Sequence, residues 1–354
     1  MQPGDMPAPG SQQMPQMQQF SGYEQSGGFG QMAPMAAPPP PPMPSGNPPP
    51  MQFASVGQLR QSECQDALLA FAGENCCYSK APAKEHTVTN TRPSTALHYT
   101  LETFCESRTS GYISEPYSGQ PINGPGGGAP PPPWSVPVAP DEEFKDHVKK
   151  LEVPGTATIT PCSRCHQMGF TKCPGCQGVA VLNCTWCHGR GRRNGKMCLQ
   201  CAGRGQKVCR KCGGDGRVTC ELCNGYRQMK CFIQLVVTFK NHLEDHILET
   251  TSLPDKLIRD AQGKPIFSQT MPQVWPIAAY PVPEMAQASV RIVESHRTKF
   301  PNERRLNQRQ VLRGVPVTEV EYTWNETTGR YWVYGEERKV YCPEYPKKCC
   351  CTIQ

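Results

Sequence analysis

CSRCHQMGFTKCPGCQGVAVLNCTWCHGRGRRNGKMCLQCAGRGQKVCRKCGGDGRVTCELC, residues 162–223, sets twelve cysteines in six C-x-x-C pairs. They are Cys162/Cys165, Cys173/Cys176, Cys184/Cys187, Cys198/Cys201, Cys209/Cys212 and Cys220/Cys223. One such pair is a weak signal; six in 62 residues form an internal repeat. Two residues between thiolates let one tight knuckle present both sulfurs to one ion. A closed tetrahedral zinc site of four thiolates then needs two knuckles. The first cysteines of successive pairs stand 11, 11, 14, 11 and 11 residues apart. That series is the same from either end, which suits a hairpin whose arms lie side by side. Cys184/Cys187 with Cys198/Cys201 would close the tip around Arg190 to Lys196. Cys173/Cys176 with Cys209/Cys212 would form a second site, and Cys162/Cys165 with Cys220/Cys223 a third at the base. Nested pairing implies about three zinc ions per chain. Sequential pairing of neighbours is the alternative.

Several pairs continue as C-x-x-C-x-G-x-G, as in Cys184 to Gly191, Cys198 to Gly205 and Cys209 to Gly216. Glycine permits the left-handed turn that aims backbone N–H groups at the sulfurs. The run resembles the cysteine-rich zinc domain of DnaJ-type co-chaperones, whose nested repeats hold zinc on a β-hairpin projecting from a sheet. It departs from that pattern in having six repeats instead of four. Gln167 stands at a first-glycine position, and Ala180 and Arg227 stand at second-glycine positions. No His-Pro-Asp occurs, so the J-domain contact that recruits the heat-shock ATPase is not expected here. The flanks, Cys76-Cys77-Tyr78, Leu101-Glu102-Thr103-Phe104 and Val340 to Pro346, look like the Ssu-two homologue family over roughly 55–346. That resemblance implies similar segments on either side of the zinc repeats and a developmental role in tooth formation. The DnaJ resemblance implies a chaperone-like or adaptor module that binds a client or partner protein.

Working outward, the 354 residues include 38 prolines and 32 glycines, so the whole chain is not expected to fold. Residues 1–53 carry no Lys or Arg and only two acids, Asp5 and Glu24, and are expected to be a disordered Pro/Met/Gln-rich tail. Its run Pro38 to Pro42 suits an SH3, WW or EVH1 groove. Residues 54–110 read as the N-terminal part of an α+β body. Ser62-x-x-Gln65 opens a helix closed by Gly73, and strand-like runs follow at Glu85 to Thr91 and Leu97 to Phe104. Residues 111–140 read as a Gly/Pro-rich linker, 141–160 as a strand leading into the arm, and 161–224 as the zinc domain. Residues 225–346 complete the body. There Met229, Cys231, Ile233, Leu235, Val237 and Phe239 alternate with a solvent face marked by Lys230, Gln234 and Thr238. A helix is expected over 285–298. A hairpin is expected around Asn325 to Gly329, with Gly329 at positive φ. The fold class is therefore α+β, a mixed sheet body with an inserted extended zinc hairpin.

Between Pro161 and Cys231 thirteen Lys/Arg face only Asp215 and Glu221. Twelve thiolates and three zinc dications would leave that arm at about +5. Arg190, Arg192, Arg193 and Lys196 are the candidate polyanion contacts, but only Phe170, Trp186 and Tyr226 offer stacking, so nucleic acid ranks below protein as a partner. Thiol–disulfide exchange is a further alternative, weakened because zinc-held thiolates exchange poorly. His166 and His188 each follow a ligand cysteine and are surplus to a four-cysteine site. No phosphate loop, H-E-x-x-H or nucleophile motif is present, so no enzymatic activity is expected. No signal sequence is visible at the N-terminus, so the cysteines are expected in reducing cytoplasm or nucleus. Residues 347–354 end Cys349-Cys350-Cys351-Thr352-Ile353-Gln354, a pattern for prenylation of Cys351 with Cys349 and Cys350 as palmitoylation candidates beside Lys347 and Lys348. That pattern predicts tethering to the cytoplasmic face of a membrane.

Overall fold

A computed structural model describes residues 20–39, 50–124 and 129–346. The polyproline run beyond Pro39 and the segment Lys347 to Gln354, with Cys349, Cys350 and Cys351, lie outside the described residues. In chain order the first elements are β1 (Ala33–Pro34), α1 (Gln61–Glu74), α2 (Lys80–Glu85), β2 (Thr87–Pro116), β3 (His147–Glu152) and β4 (Thr158–Pro161). Six short strands follow: β5 (Phe170–Lys172), β6 (Val181–Asn183), β7 (Arg192–Arg193), β8 (Lys196–Met197), β9 (Gln206–Val208) and β10 (Arg217–Thr219). The rest are β11 (Gln228–Leu248), α3 (Asp255–Asp260), β12 (Lys264–Met271), α4 (Pro283–Thr298), β13 (Arg304–Trp324), β14 (Thr327–Tyr334) and β15 (Lys339–Tyr341). With 14% helix and 39% strand the chain is mixed but sheet-dominated. Nine strands form one sheet of order β15-β14-β13-β2-β11-β3, with β12 on β13, β4 on β11 and β1 on β2. Among the described residues no helix is long and apolar enough to cross a membrane.

The described residues fall in two compact units, and β2 and β11 contribute to both. One unit lies within 37–107, 140–147 and 238–354. Its axis is the antiparallel pair β2–β13, in register from Arg304↔Glu106 to Thr323↔Thr87. The other edge of β13 is shared, with β12 covering Gln308 to Gly314 and β14 covering Val317 to Trp324. Helix α4 has Pro283 at its first turn and carries Met285, Ile292 and Val293 on one face, the 3.6-residue period of a half-buried helix. These side chains pack on Leu97, Tyr99, Leu101 and Leu312 of the sheet. Leu68 and Ala72 of α1 pack with Val320, Tyr331 and Val333. Burying each large apolar side chain contributes about 1.5–3 kcal/mol, so these two faces hold the body together.

Three expectations for this unit change. From Thr87 onward the two strand-like runs are one continuous strand, because β13 supplies a partner from Thr87 to Glu106, whereas Glu85, read as strand, ends α2. The N-terminal box of α1 sits two residues earlier than Ser62/Gln65, where the Arg60 N–H donates to Glu63 Oε2 at 2.9 Å. In the 320–334 hairpin the positive φ falls on Asn325 and Glu326 (43° and 64°), a two-residue turn of the kind that matches strand twist. Gly329 instead lies in β14 opposite Tyr322, whose ring occupies the space a Cβ would need, 2.6 Å from the phenol oxygen.

The other unit lies within 1–36, 108–139 and 148–237. Residues 20–36, expected to be structureless, take part in it. Ala33 pairs with Ser110, the buried Tyr23 hydroxyl donates to Pro131 O at 3.0 Å, and Met35 N–H donates to Arg108 O at 2.9 Å. Apolar side chains this sparse order only because a sheet edge supplies backbone partners. The 111–140 stretch is likewise not a plain linker. Gly111 to Pro116 continue β2, and the buried Arg108 guanidinium donates to the carbonyls of Pro133 and Val136. Met229, Cys231, Ile233, Leu235 and Val237 of β11 are buried as the alternation requires. Lys230, read as solvent-facing, is buried as well. Strand β4 pairs with β11 from Gln228↔Pro161 to Cys231↔Thr158, and the whole cysteine run is inserted between these two strands.

Candidate metal centre

The inserted segment folds back on itself as a ladder of three two-stranded ribbons. Thr171 pairs with Val218, Leu182 with Lys207, and Arg193 with Lys196 across the closing turn Asn194-Gly195. Between the ribbons the knuckles meet in three four-cysteine groups. They are Cys162, Cys165, Cys220 and Cys223 at the base; Cys173, Cys176, Cys209 and Cys212 in the middle; and Cys184, Cys187, Cys198 and Cys201 at the tip. The grouping is nested, not sequential. Within each group the sulfurs lie within 4.8 Å of one another, and every cysteine is buried except the half-buried Cys212.

The spacing is that of ligands, not of disulfides. Sulfurs facing across the groups are 3.9 and 3.6 Å apart at the base, 3.9 and 3.7 Å in the middle, and 3.9 and 3.8 Å at the tip. A disulfide would require about 2.05 Å. A tetrahedron with metal–sulfur bonds of about 2.3 Å has edges of about 3.8 Å. The donor set is all thiol, which favours a soft or borderline cation over calcium or magnesium.

Each group has a local two-fold pattern. The first cysteine of each knuckle donates its N–H to the carbonyl eight positions into the partner repeat: Cys162 to Arg227 and Cys220 to Gly169, Cys173 to Gly216 and Cys209 to Ala180, Cys184 to Gly205 and Cys198 to Gly191. The second cysteine accepts an N–H from that eighth residue of its own repeat, at 3.2–3.3 Å from Gly169, Ala180, Gly191, Gly205 and Gly216. Reaching that geometry puts three residues of every knuckle at positive φ. Gln167 (66°), Ala180 (72°) and Arg227 (73°) adopt it without being glycine. The repeats that depart from the glycine pattern therefore keep its backbone, at about 1–2 kcal/mol of strain per residue.

Electrostatics inside the groups express crowded thiols. At the base, burial pushes Cys162 up to about 12, while Cys223 is brought down to about 7 by N–H groups of Arg227 and Gly225 and the Cys165 thiol, against burial. At the tip the Cys187 and Trp186 N–H groups hold Cys184 at about 7. A first proton leaves such a cluster easily and a later one with difficulty, unless a cation takes up the charge. Apart from the cysteines the arm has almost no apolar core: Phe29 and Met229 reach the base group and Val218 the middle one.

The amino-acid sequence matches known proteins. A zebrafish (Danio rerio) protein named "Protein SSUH2 homolog" is 41% identical over 338 residues, covering 94% of this chain and 93% of its own. The Homo sapiens protein of that name is 39% identical over 300 residues, covering 84% and 80%. The chain belongs to the SSUH2 homologue family. The Mus musculus SSUH2 homologue is 41% identical over 261 residues, covering 73% of this chain and 77% of its own. No protein-family model matches the chain.

In this SSUH2-family chain the other sequence-predicted residues are placed as follows. Arg190, Arg192, Arg193 and Lys196 are all exposed at the tip, and Arg193 lies over the Trp186 ring, 4.9 Å from its centroid. His166 and His188 are exposed and hold left-handed turns, outside the four-cysteine groups. Two residues went unnoticed in the sequence, Met197 and Leu199, which stand 59% and 88% exposed beside Trp186. For Leu199 the missed signal is the pair of residues inside each knuckle: Thr185-Trp186 and Leu199-Gln200 at the tip, against Pro174-Gly175 and Arg210-Lys211 in the middle. A further group, Cys105 with His242 and Glu303, also gathers donor atoms within 4.8 Å. There His242 Nε2 is 2.6 Å from Glu303 Oε2, a hydrogen bond, whereas nitrogen and oxygen ligands of one tetrahedral zinc stand about 3.3 Å apart. Burial and Glu303 push the Cys105 thiol up to about 12. This group is a hydrogen-bonded cluster within the body.

Proposed function

We propose that this chain is a non-enzymatic zinc protein whose metal-braced arm and parent sheet bind a partner or client protein, as a chaperone-like or adaptor module without a J-domain. The observation that carries it is the set of six cross-group sulfur separations of 3.6–3.9 Å, the edge length of zinc–thiolate tetrahedra. Zinc would be held by Cys162, Cys165, Cys220 and Cys223; by Cys173, Cys176, Cys209 and Cys212; and by Cys184, Cys187, Cys198 and Cys201. Four protein ligands close each site and leave no open position for substrate, so the ion serves structure. It supplies the folding energy the arm lacks, on the scale of about 10–16 kcal/mol for structural zinc. The DnaJ-type hairpin reading is supported by the nested knuckles and their shared backbone turns. The long strands β2 and β11 root the arm in a sheet, which suits a rigid binding element.

Elemental analysis of protein purified without chelator tests the metal, with about three zinc ions per chain expected. Light scattering of a chemically denatured client tests the binding, with aggregation suppressed by zinc-loaded but not metal-stripped protein. Zero zinc with freely titrating thiols would replace this reading by thiol–disulfide exchange.

A further inference from the structure

The tip groups its exposed apolar side chains on one side. Trp186, Met197 and Leu199, all more than half exposed, line a cavity of about 530 Å³ with Arg193, Lys196 and Gln200, floored by the tip ligand Cys198. Exposed apolar side chains grouped this way mark an interaction site. The surrounding charge is of one sign. From Gln177 to Gly214 the chain carries Arg190, Arg192, Arg193, Lys196, Arg204, Lys207, Arg210 and Lys211 and no acid.

We propose that this groove docks an acidic peptide segment of a partner protein, inserting one or two large apolar side chains between Trp186 and Leu199 with its carboxylates on Arg193 and Lys196. The proposal rests on the protein-binding reading above and names the partner's chemistry. Two alternatives fit the geometry less well. A bilayer-inserting loop puts its apolar residues at the apex, but here the apex is the polar turn Arg193-Asn194-Gly195-Lys196, with the apolar residues behind it in a concavity. Single-stranded nucleic acid needs successive stacking faces, and the groove has one aromatic ring, with Arg193 over it. Trp186 lies between Cys184 and Cys187, and Leu199 between Cys198 and Cys201, so the two knuckles of the tip metal group form the two walls. Docking therefore depends on the tip metal, with the groove's shape set before the peptide arrives.

The test uses the full-length, zinc-loaded chain and fluorescein-labelled synthetic peptides in which Leu and Phe anchors are flanked by Glu. Matched peptides carry Lys in place of Glu, or Ser in place of the anchors. The Glu-flanked peptide is expected to bind in a salt-dependent way and the other two to fail. Leu199→Ser and Met197→Ser should each weaken binding about tenfold, the loss of one anchor contact, with zinc content unchanged. The double charge swap Arg193→Glu with Lys196→Glu should transfer preference to the Lys-flanked peptide. Equal binding of both charge forms, or no effect of Leu199→Ser, overturns the proposal. So does retention of phosphatidylcholine–phosphatidylserine vesicles or a short oligo-uridine RNA without peptide binding. Client protection that survives Leu199→Ser would overturn this groove and leave the broader protein-binding reading standing; absence of zinc would remove both.

Discussion

Cys184 and Gly205 are joined across the arm tip by a 2.8 Å hydrogen bond from the cysteine N–H to the glycine carbonyl, mirrored by Cys198 to Gly191 at 2.9 Å. The two glycines that accept these bonds also press against the opposite chain. A Cβ on Gly205 would lie 2.3 Å from Gly189 O, and one on Gly191 2.3 Å from Gly203 O. In the outer groups one member of each such pair keeps glycine, with Gly216 against Gly178 O and Gly169 against Gly225 O. Its counterpart there is Ala180 or Arg227. The tip is thus the tightest of the three closures.

That tightness sets the cost of a methyl group. Gly191→Ala adds a clash with backbone to a φ of +72° and is expected to open the tip group, lowering zinc from about three to about two ions per chain. Gly195→Ala is the control. Its φ is +76° but nothing lies within 4 Å, so it should cost only about 1–2 kcal/mol and keep all the metal. Equal metal loss in both variants would show that φ alone, not the close approach, decides. Conversely, Ala180→Gly should relieve strain and raise the arm's melting temperature.

Much of this was legible in the amino-acid sequence, for a physical reason. Metal ligation imposes spacing, and the symmetric interval series suits nested pairing on a hairpin, while sequential pairing stays open until the four-cysteine groups decide against it. Periodicity likewise located β11, because a half-buried strand must alternate. Features that depend on distant chain were not legible. Residues 20–36 gain order from the edge of β2, roughly eighty residues away in sequence. Gly329 reads as a turn glycine, yet its reason is the Tyr322 ring across the hairpin. Ala180 and Arg227 read as broken repeats, although the turn they occupy is held by neighbouring hydrogen bonds more strongly than side-chain preference resists it.

Metal removal should act locally. The arm's buried clusters are almost entirely cysteine, while the body packs Leu, Ile, Val and Tyr on its own sheet. Chelation is therefore expected to abolish amide protection between residues 162 and 223 and leave that of β13 and α4 intact, read by hydrogen exchange. Acidification should release the metal too, because the ligands bind as thiolates and protons compete for them. Loss of protection in β13 on chelation would show instead that arm and body fold as one cooperative unit.

The body carries its own pH sensitivity at His296. Gln308 donates to Thr103 Oγ1 at 2.9 Å, Thr103 Oγ1 is 2.8 Å from His296 Nδ1, and His296 Nε2 is 3.2 Å from Glu244. A neutral ring with its proton on Nε2 satisfies every link, Thr103 donating to Nδ1. Burial lowers the His296 pKa, opposed by Glu244 and reinforced by Lys299 and His242. Burial lowers that of His98 as well. The unfolded chain then binds protons that the folded chain refuses. Stability is full above the unfolded value of about 6.5 and is lost as pH falls from there toward the folded values. Denaturation midpoints at pH 7.5 and 5.5 should show this fall, and His296→Gln should shrink it. An unchanged slope in that variant would clear His296 of the effect.

Lys230 at the root of the arm offers a test of what a buried charge contributes. It pairs in register with Ile159 of β4, and its Nζ lies 2.5 Å from Glu152 Oε2, 3.7 Å from Glu115 Oε1 and 4.9 Å from the Phe232 ring centroid. Alternation placed it toward solvent; two carboxylates and a ring let it stay under cover. Glu152 keeps a quarter of its side chain in water, so losing its partner costs less than in a fully buried pair. Lys230→Met is expected to lower stability by about 1–3 kcal/mol, read from a denaturant midpoint. Most of that penalty is an uncompensated carboxylate rather than a lost attraction. Adding Glu152→Gln should therefore recover part of the loss, a coupling the double-mutant cycle measures directly. If the double variant is no more stable than Lys230→Met alone, the ammonium group acts through its packing on Phe232 instead of through charge.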